Sequence, residues 1–501
     1  MDLLANLSLG LSVALQPTNI FFCLVGTMLG TLIGVLPGIG PIATISMLLP
    51  LTFGLDPTTS LIMLAGIYYG SQYGGSTTAI LVNLPGEASS TVTMIDGYQM
   101  ALRGRAGAAL AAAGLGSFFA GTVATVLVAV VAAPLTSLAL SFGPPEYFAL
   151  MTVGLVSSIA LASGSVLKAI GMICFGLLIG LTGTDIYTNQ PRFTFGSRDL
   201  LEGFDFVAIA VGVFGLGEII RNLEKPSETR TVIAKVSGLW PSMADLRRMV
   251  MPAIRGTGIG SLLGILPGGG ALLSSFVSYN VEKRVSPNST EFGKGAIEGV
   301  TAPEAANNAA AQTSFIPMLS LGVPGTATMA LMIGAMTIQG ITPGPNVINQ
   351  NPGLFWGLIA SMWVGNAMLI LLNLPLIGLW VTLLRVPYKV LFPAIVAFCC
   401  IGVYSVDSSN FAVLSVAAFG LLGYFLVRLD FEWAPFMLGF ILGPMIEHQL
   451  RRSMLISGGD PSVFFTRPIS ATLLVIAVVL LVAMAMPKTR SKRAEVFTET
   501  A

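Results

Sequence analysis

The 501-residue chain is too apolar for a set of soluble domains, because 54% of its residues are hydrophobic, 10% are charged, and the mean hydropathy is +0.83. A net charge of +1, with no basic tract before the C-terminal tail, excludes nucleic-acid binding. A membrane span needs about 20 apolar residues, so we predict an all-α polytopic integral membrane protein. Four long stretches contain no charged residue and can each hold one or more spans: 3–55, 57–86, 106–145 and 305–384.

The first half of the chain, residues 17–222, follows an N-terminal segment, 1–16, which lacks the Lys or Arg that starts a cleavable signal peptide. GTMLGTLIGVLPGIGP at 26–41 places a Pro-Gly pair inside an apolar stretch, and NLPGEAS at 83–89 does the same. At bilayer depth such helix breaks are tolerated only where protein or a water-filled cavity covers them. Further spans are predicted near 106–133, 147–163, 169–183 and 206–222.

The second half, residues 253–447, follows a linker, 223–252, whose Lys and Arg residues predict a cytoplasmic location. Its segment GTGIGSLLGILPGGGA at 256–271 is identical to the segment at 26–41 at nine of sixteen positions. GVPGTAT at 322–328 corresponds to NLPGEAS at 83–89, and we call the Pro-Gly breaks at 83–89 and 322–328 the first and the second break. The predicted elements are a helical hairpin over 256–282, a discontinuous span over 303–340, and spans near 354–384, 388–404, 411–427 and 433–447.

The charges of corresponding loops predict that the two halves are inverted in the membrane. The loop after the first hairpin carries only Asp56, whereas 283–294 after the second carries three Lys or Arg residues. The signs are exchanged after the Pro-Gly breaks, because 103–105 holds two arginines and 341–352 holds no charge. Since cytoplasmic loops carry the basic excess, we predict two inverted-topology repeats, each with a re-entrant helical hairpin and a discontinuous transmembrane helix, in an elevator-like transporter architecture.

The C-terminal part is predicted to comprise an extra-membrane loop with a final span, 448–486, and a basic cytoplasmic tail, 487–501. With the linker and the tail in the cytoplasm, the predicted spans define a path of the chain through the membrane. This predicted path conflicts with the positive-inside rule at three arginines that it places outside: Arg451, Arg452 and Arg467. The single histidine, His448, lies at the end of a span beside Glu447, Arg451 and Arg452, and we interpret this group as an interfacial ion-pair cluster rather than a metal site.

Inverted repeats with interrupted helices are the arrangement by which secondary transporters hold a substrate near the bilayer midplane. The glycine-rich segments carry no cation, so an anion there would be bound by helix N-termini, hydroxyls and side-chain amides. The predicted substrate-binding residues near the breaks are Ser71, Gln72, Thr77, Thr78, Asn83, Asn307, Asn308, Gln312, Thr313 and Thr326. Ser76, Ser314 and Thr328 belong to the same polar segments. The alternative for each residue is a hydrogen bond between helices.

Two acidic residues are predicted to couple transport to an ion. Glu87 follows the first break and Glu304 begins the second broken span, and acids at membrane depth are functional candidates by default. The alternatives are that Glu304 is a first-turn charge favoured by the helix dipole, and that Glu87 lies in an aqueous vestibule. The coupling ion is expected to be Na⁺ or H⁺.

Catalytic and metal-binding motifs are absent from the sequence. GxxxxGK[ST], GxSxG and HExxH do not occur, so the chain is predicted not to be an enzyme. The four cysteines lie in apolar stretches without metal-ligand spacing: Cys23, Cys174, Cys399 and Cys400. We therefore expect no metal site and no cofactor other than the coupling ion.

The duplicated GxLPGxG segments at 34–41 and 264–271, together with YYGSQYGGSTTAILVNLPGE at 68–87 and APEAANNAAAQTSFIPMLSLGVPGT at 302–326, resemble the large membrane subunit of the tripartite tricarboxylate transporters. The resemblance runs from about residue 18 to 465. It implies a multi-pass protein of the bacterial inner membrane that imports carboxylates with a small membrane subunit of about four spans, a periplasmic solute-binding protein and an ion gradient. It also implies that the hairpin tips line the site, namely Gly38, Gly40, Gly268 and Gly270.

The resulting hypothesis is the translocating subunit of a binding-protein-dependent secondary importer for di- or tricarboxylates. A passive channel for small anions or metabolites is the alternative, because re-entrant half-helices also occur in channels. A membrane enzyme ranks third, since no nucleophile, base and orienting group can be assembled from the apolar segments.

Overall fold

The computed structural model describes residues 3–36, 40–139, 141–161, 165–224, 236, 238–266, 270–383 and 388–485. Nearly all regular structure in these ranges is helical, as the composition predicts. The strands described are β1 (Gly183–Thr184) and β2 (Pro191–Arg192), which pair antiparallel in one loop. The tips 37–39 and 267–269, residues 225–235 and 237 of the linker, and the tail from 486 onward lie outside the described residues.

The first half is a run of helices interrupted at the predicted places. The N-terminal segment before it forms α1 (Leu3–Ala14). The helices of the first half are α2 (Pro17–Gly34), α3 (Pro41–Leu48), α4 (Pro57–Val82), α5 (Ser90–Leu102), α6 (Ala106–Ala139), α7 (Pro144–Leu161), α8 (Val166–Gly180), α9 (Phe206–Ala210) and α10 (Gly217–Glu224). A 3₁₀ turn, Leu49–Thr52, extends α3, and a π-helical segment, Val211–Leu216, joins α9 to α10.

The second half and the C-terminal part continue in the same way. Their helices are α11 (Met243–Ile265), α12 (Gly270–Val285), α13 (Glu298–Thr313), α14 (Phe315–Leu321), α15 (Ala327–Ile338), α16 (Val347–Gln350), α17 (Pro352–Asn373), α18 (Ile377–Leu383), α19 (Tyr388–Asp407), α20 (Asn410–Arg428), α21 (Trp433–Ile456), α22 (Val463–Thr466) and α23 (Pro468–Ala485). A short 3₁₀ turn, Ser289–Glu291, precedes α13.

Four of the described helices are long and apolar enough to cross a membrane: α2, α6, α17 and α20. Several shorter helices, among them α8 and α23, are also apolar. The chain is therefore a multi-pass membrane protein. Two elements are longer than predicted. The Ser242 capping box with Asp245 starts α11 inside the predicted linker, and α21 continues to Ile456, into the predicted loop.

Glycines spaced four apart bring two pairs of helices into backbone contact. A Cβ on any of them would lie 2.2–2.5 Å from a carbonyl oxygen of the facing helix, which is too close for any side chain. In the first half Gly26, Gly30 and Gly34 of α2 face the carbonyls of Met63, Ile67 and Ser71 on α4. In the second half Gly256, Gly260 and Gly264 of α11 face those of Ala302, Ala306 and Ala310 on α13. The duplicated sequence thus makes the same helix contact twice.

Both predicted helix breaks are present and have the same backbone form. Helix α4 ends with Asn83 in the left-handed conformation (φ 55°), and α14 ends with Gly322 in the same conformation (φ 70°). A Pro-Gly pair lies two residues further along in each case. A Cβ at Gly322 would lie 2.7 Å from the Pro343 carbonyl oxygen, whereas Asn83 is exposed.

Ion pairs join the helix ends in two sets, one on the predicted cytoplasmic side of the membrane and one on the opposite side. The first set is Arg105–Asp245, Arg248–Glu291, Arg248–Glu298, Arg255–Glu282, Lys168–Asp430 and Arg428–Glu224. The second set is Arg192 and Arg451 with both Asp185 and Glu447, and Arg467 with Glu146. Every pair joins segments that the predicted path places on one side of the membrane. Two of the three conflicting arginines, Arg451 and Arg467, are thereby neutralised where the path puts them.

Candidate functional site

Glu304 lies in a buried polar cluster between the two halves. Its carboxylate belongs to α13 and is 1% exposed. Three hydroxyls of the first half donate to it: Ser76 Oγ of α4 (2.7 Å), Thr93 Oγ1 of α5 (2.5 Å) and Ser117 Oγ of α6 (3.3 Å). The first-turn interpretation is wrong, because α13 begins at Glu298 and Glu304 lies in its second turn.

Glu87 lies just past the first break and is also buried, with 8% of its surface exposed, so the vestibule interpretation is wrong. Ser89 Oγ donates to its Oε1 at 2.5 Å and Asn307 Nδ2 donates to the same atom at 3.0 Å. With its amide nitrogen turned toward this carboxylate, Gln72 donates to both oxygens of Glu87. Side chains from both broken helices therefore meet at Glu87.

Neither central carboxylate has a Lys or Arg within ion-pair distance among the described residues. Five other buried acids are each paired with an arginine: Glu146, Asp185, Asp245, Glu282 and Glu298. The buried Asp96 instead accepts from two backbone N–H groups and the Tyr279 hydroxyl. A buried ionised carboxylate is costly unless a cation or a proton neutralises it. Glu87 and Glu304 are thus the described buried acids whose surroundings suit an exchangeable positive charge.

Gly40 and Gly270, the first described residues after the two tips, each lie near the residue that follows the Pro-Gly pair of the same half. A Cβ at Gly40 would lie 3.9 Å from Glu87 Cβ, and a Cβ at Gly270 would lie 3.2 Å from Thr326 Cγ2. Gly40 is the N-cap of α3, and Gly270 is the first residue of α12. The other two predicted tip residues, Gly38 and Gly268, lie outside the described residues.

The second break brings a pair of helix N-termini together without a carboxylate. Thr326 is the N-cap of α15, where its side chain accepts the Met329 N–H at 3.2 Å. The start of α12 at Gly270 contacts it. Helix N-termini carry about half a positive charge each, so this location favours an anion.

The structure brings some predicted residues into this centre and leaves others out. Asn308 Nδ2 donates to Ser117 Oγ at 2.7 Å and to the Glu304 carbonyl at 3.2 Å. Thr78 Oγ1 donates to the Val35 carbonyl at 2.6 Å, which ties α4 to the first hairpin. Ser71 and Thr313 donate to carbonyls of their own helices, and Asn83 is exposed. Thr77 also donates to a carbonyl of its own helix, but it lines a cavity beside Glu304.

Sequence reasoning did not find three cluster residues: Thr93, Ser117 and Asn373. They lie on helices that the sequence does not mark as broken. A cavity of about 20 Å³ lies beside Glu304, and Tyr73, Ser76, Ser117 and Asn373 are among its lining residues. Asn373 is 5% exposed, and its Oδ1 has no hydrogen-bond partner. Gln312 Oε1, on α13, is also buried without a partner.

No group of three or more His, Cys, Asp or Glu side chains suited to a metal occurs in the described part of the chain. Ion pairs are present beside His448, although His448 itself contacts a tyrosine. Tyr187 Oη lies 2.8 Å from His448 Nδ1, and Arg451 pairs with Asp185 and Glu447 beside it.

Comparison with known proteins gives two kinds of match. The family model described as tripartite tricarboxylate transporter TctA family matches residues 20–438. A protein of Agrobacterium vitis, described as an uncharacterized 52.8 kDa protein in the TAR-I ttuC' 3' region, is 62% identical over 499 residues, covering 100% of this chain and 99% of that protein. Another protein of A. vitis, from the TAR-II ttuC' 3' region, is 59% identical over 240 residues, covering 48% of this chain and 99% of that protein. No solved structure matches.

Proposed function

The chain belongs to the tripartite tricarboxylate transporter TctA family, as a large membrane subunit, and from this membership we propose that it is the translocating subunit of a binding-protein-dependent, ion-gradient-driven importer of di- or tricarboxylates or related organic anions. Its partners would be a small membrane subunit of about four spans and a periplasmic solute-binding protein, in a bacterial inner membrane. The observation that carries the proposal is a pair of buried carboxylates at two broken helices, Glu87 and Glu304, which have no cationic partner among the described residues.

The architecture proposed for this function is two inverted repeats whose hairpins and broken helices form a mobile core. The matching glycine contacts of α2 with α4 and of α11 with α13 support a duplicated unit. The left-handed residues that end α4 and α14 support it as well. The remaining helices would form the scaffold against which this core moves.

The two breaks would hold opposite charges. The second break offers the N-termini of α12 and α15 and the hydroxyl of Thr326, so a substrate carboxylate would bind there. Glu87 and Glu304 would take the coupling cation or proton. Asn307 of the second half donates to Glu87 of the first and lies on the same helix, α13, as Glu304.

The test is uptake of labelled carboxylate by proteoliposomes that contain this chain and its small subunit. The solute-binding protein, a Na⁺ gradient and a pH gradient are added or omitted in turn. Saturable uptake that requires the binding protein and one of the gradients is the expected result. Uptake that needs neither would overturn the coupled importer, and single-channel conductance would establish the channel alternative.

A further inference from the structure

The small cavity beside Glu304 has the chemistry of a cation site. Its volume is about 20 Å³, which is enough for one water-sized species. Its polar lining is oxygen-rich: the Glu304 carboxylate, the hydroxyls of Ser76, Thr77, Ser117 and Tyr73, and the side-chain amide of Asn373. No imidazole or thiol is among the lining residues, so the donors are those preferred by hard cations.

Asn373 provides the second, independent indication of a ligand. The residue is 5% exposed, its Nδ2 donates to the Leu369 carbonyl at 3.0 Å, and its Oδ1 accepts no hydrogen bond. A buried amide oxygen without a donor is unfavourable, and buried polar groups are nearly always satisfied. Asn373 lines the same cavity as Glu304, so its unpartnered amide oxygen is a second observation that points to a ligand there.

We propose that this cavity binds one Na⁺ ion, with the Glu304 carboxylate and the Asn373 amide oxygen as its principal ligands. The proposal rests on the proposed function, and it identifies the coupling ion and its binding site. A single carboxylate balances a single positive charge. Ca²⁺ generally takes 6–8 oxygen ligands with several carboxylates, and Mg²⁺ retains several waters, which a one-water cavity excludes. A proton on Glu304 would neutralise the carboxylate but would leave Asn373 Oδ1 without a partner.

The cation would also hold the two halves together. The hydroxyl donors to Glu304 come from α4, α5 and α6, whereas the carboxylate comes from α13. Asn307, on the same helix α13, donates to Glu87 at the first break. Occupancy of the cavity is therefore connected, through one helix, to the second central carboxylate.

The test is binding of radioactive Na⁺ to the purified full-length chain, without substrate, in K⁺-containing buffer. Wild type is expected to bind Na⁺ saturably, and E304Q is expected to lose that binding. N373A removes one ligand to a charged species, so its affinity should fall about tenfold or more. The matched control is S320A, because Ser320 is a buried hydroxyl that donates to the Ala132 carbonyl, away from the cavity. S320A should bind Na⁺ as wild type does.

The outcomes separate this inference from the proposed function. Absence of saturable Na⁺ binding in wild type, or wild-type affinity in N373A, overturns the Na⁺ site even if carboxylate uptake proceeds on a pH gradient. Saturable, Glu304-dependent Na⁺ binding by a chain that never imports carboxylate with its partners overturns the proposed function instead. If E304Q does not fold, the comparison of N373A with S320A still decides.

Discussion

Buried carboxylates at the helix ends and in the centre of the molecule have different partners. At the ends, five buried acids accept from arginines at 2.6–2.8 Å: Glu146, Asp185, Asp245, Glu282 and Glu298. In the centre, Glu87 and Glu304 accept only from hydroxyls and amides of the described residues. The end carboxylates have a permanent counter-charge, whereas the central pair can have an exchangeable one.

Asp96 shows that the lack of an arginine is not sufficient to mark a functional acid. It is fully buried in α5, but the N–H groups of Gly295 and Ala296 donate to one of its oxygens at 2.7 and 2.9 Å. Tyr279 Oη donates to the other at 2.9 Å. Two of these three donors are backbone groups that stay in place, so Asp96 reads as a structural link between α5 and the loop before α13. The donors at Glu87 and Glu304 are side chains that can rearrange.

The largest effect is expected from removing a counter-charge at a helix end. R255A leaves Glu282, which is 1% exposed, without the guanidinium that now donates to both of its oxygens at 2.7 and 2.8 Å. An uncompensated buried charge costs about 3 kcal/mol or more. We expect a lower yield of folded protein and a lower thermal unfolding midpoint in detergent.

Two variants make this measurement specific. R255Q/E282Q removes both charges and should recover most of the lost midpoint. R428A breaks an exposed pair with Glu224 and should change stability by less than about 1 kcal/mol. A wild-type midpoint for R255A would mean that end carboxylates do not depend on their arginines.

The next largest effect is expected from the same Glu→Gln change made at a central carboxylate, Glu87, and at a helix-end carboxylate, Glu282. E87Q keeps the shape and most hydrogen bonds of a side chain that already contacts amides, so the folded yield should stay at the wild-type level. Ion-coupled carboxylate uptake should fall at least about tenfold, because the exchangeable charge is gone. E282Q should do the reverse, with a lowered midpoint and uptake that is unchanged per folded molecule. Equal effects of both variants on uptake would break the distinction.

A smaller effect is expected from a carboxylate at the second break, at the position of Thr326, which corresponds to Glu87 at the first break. Asp is as good an N-cap as Thr, so T326D keeps the start of α15. The added carboxylate would compete with an anionic substrate for the same N-termini, and the apparent affinity for carboxylate should fall about tenfold. T326S, which keeps the hydroxyl, is the control and should transport normally. Unchanged affinity in T326D would place the substrate elsewhere.

The helix breaks could be predicted from the sequence because Gly and Pro determine backbone conformation locally. The repeated LPGxG segment and the two Pro-Gly breaks identify the hairpins and interrupted helices without any long-range information, and Asn83 and Gly322 end their helices as such residues commonly do. The number of Lys and Arg residues in each loop gives a predicted path through the membrane, and every described ion pair is compatible with that path. The inverted relation of the two halves nevertheless remains a prediction.

The side-chain partners could not be predicted, because they depend on packing between distant segments. The hydroxyls that donate to Glu304 lie 228, 211 and 187 residues away in sequence. Conversely, Ser71, Thr77 and Thr313 look equivalent to Gln72 and Asn307 in sequence, but they donate to their own helices. Which face of a buried helix a residue occupies is not evident where nearly every side is covered, as it is in α4 and α13.

The smallest effect concerns the pH dependence of an end carboxylate. The Tyr187 N–H and, against the opposing effect of burial, the Arg451 guanidinium lower the pKa of Asp185 from 3.8 to about 2. A folded-state pKa below the unfolded value means that the stabilisation is complete above pH 3.8 and is lost as the pH falls through about 2. R451Q should raise the pKa of Asp185 toward its ordinary value. The difference in unfolding midpoint between wild type and R451Q should therefore stay constant from pH 7 to pH 5 and shrink between pH 4 and pH 2.

R452Q is the control, because it removes the same charge from an exposed neighbour and should show no such change. A wild-type to R451Q difference that is independent of pH would mean that Arg451 stabilises the loop by packing on Tyr187, over whose ring it lies at 5.2 Å, rather than by holding Asp185 ionised.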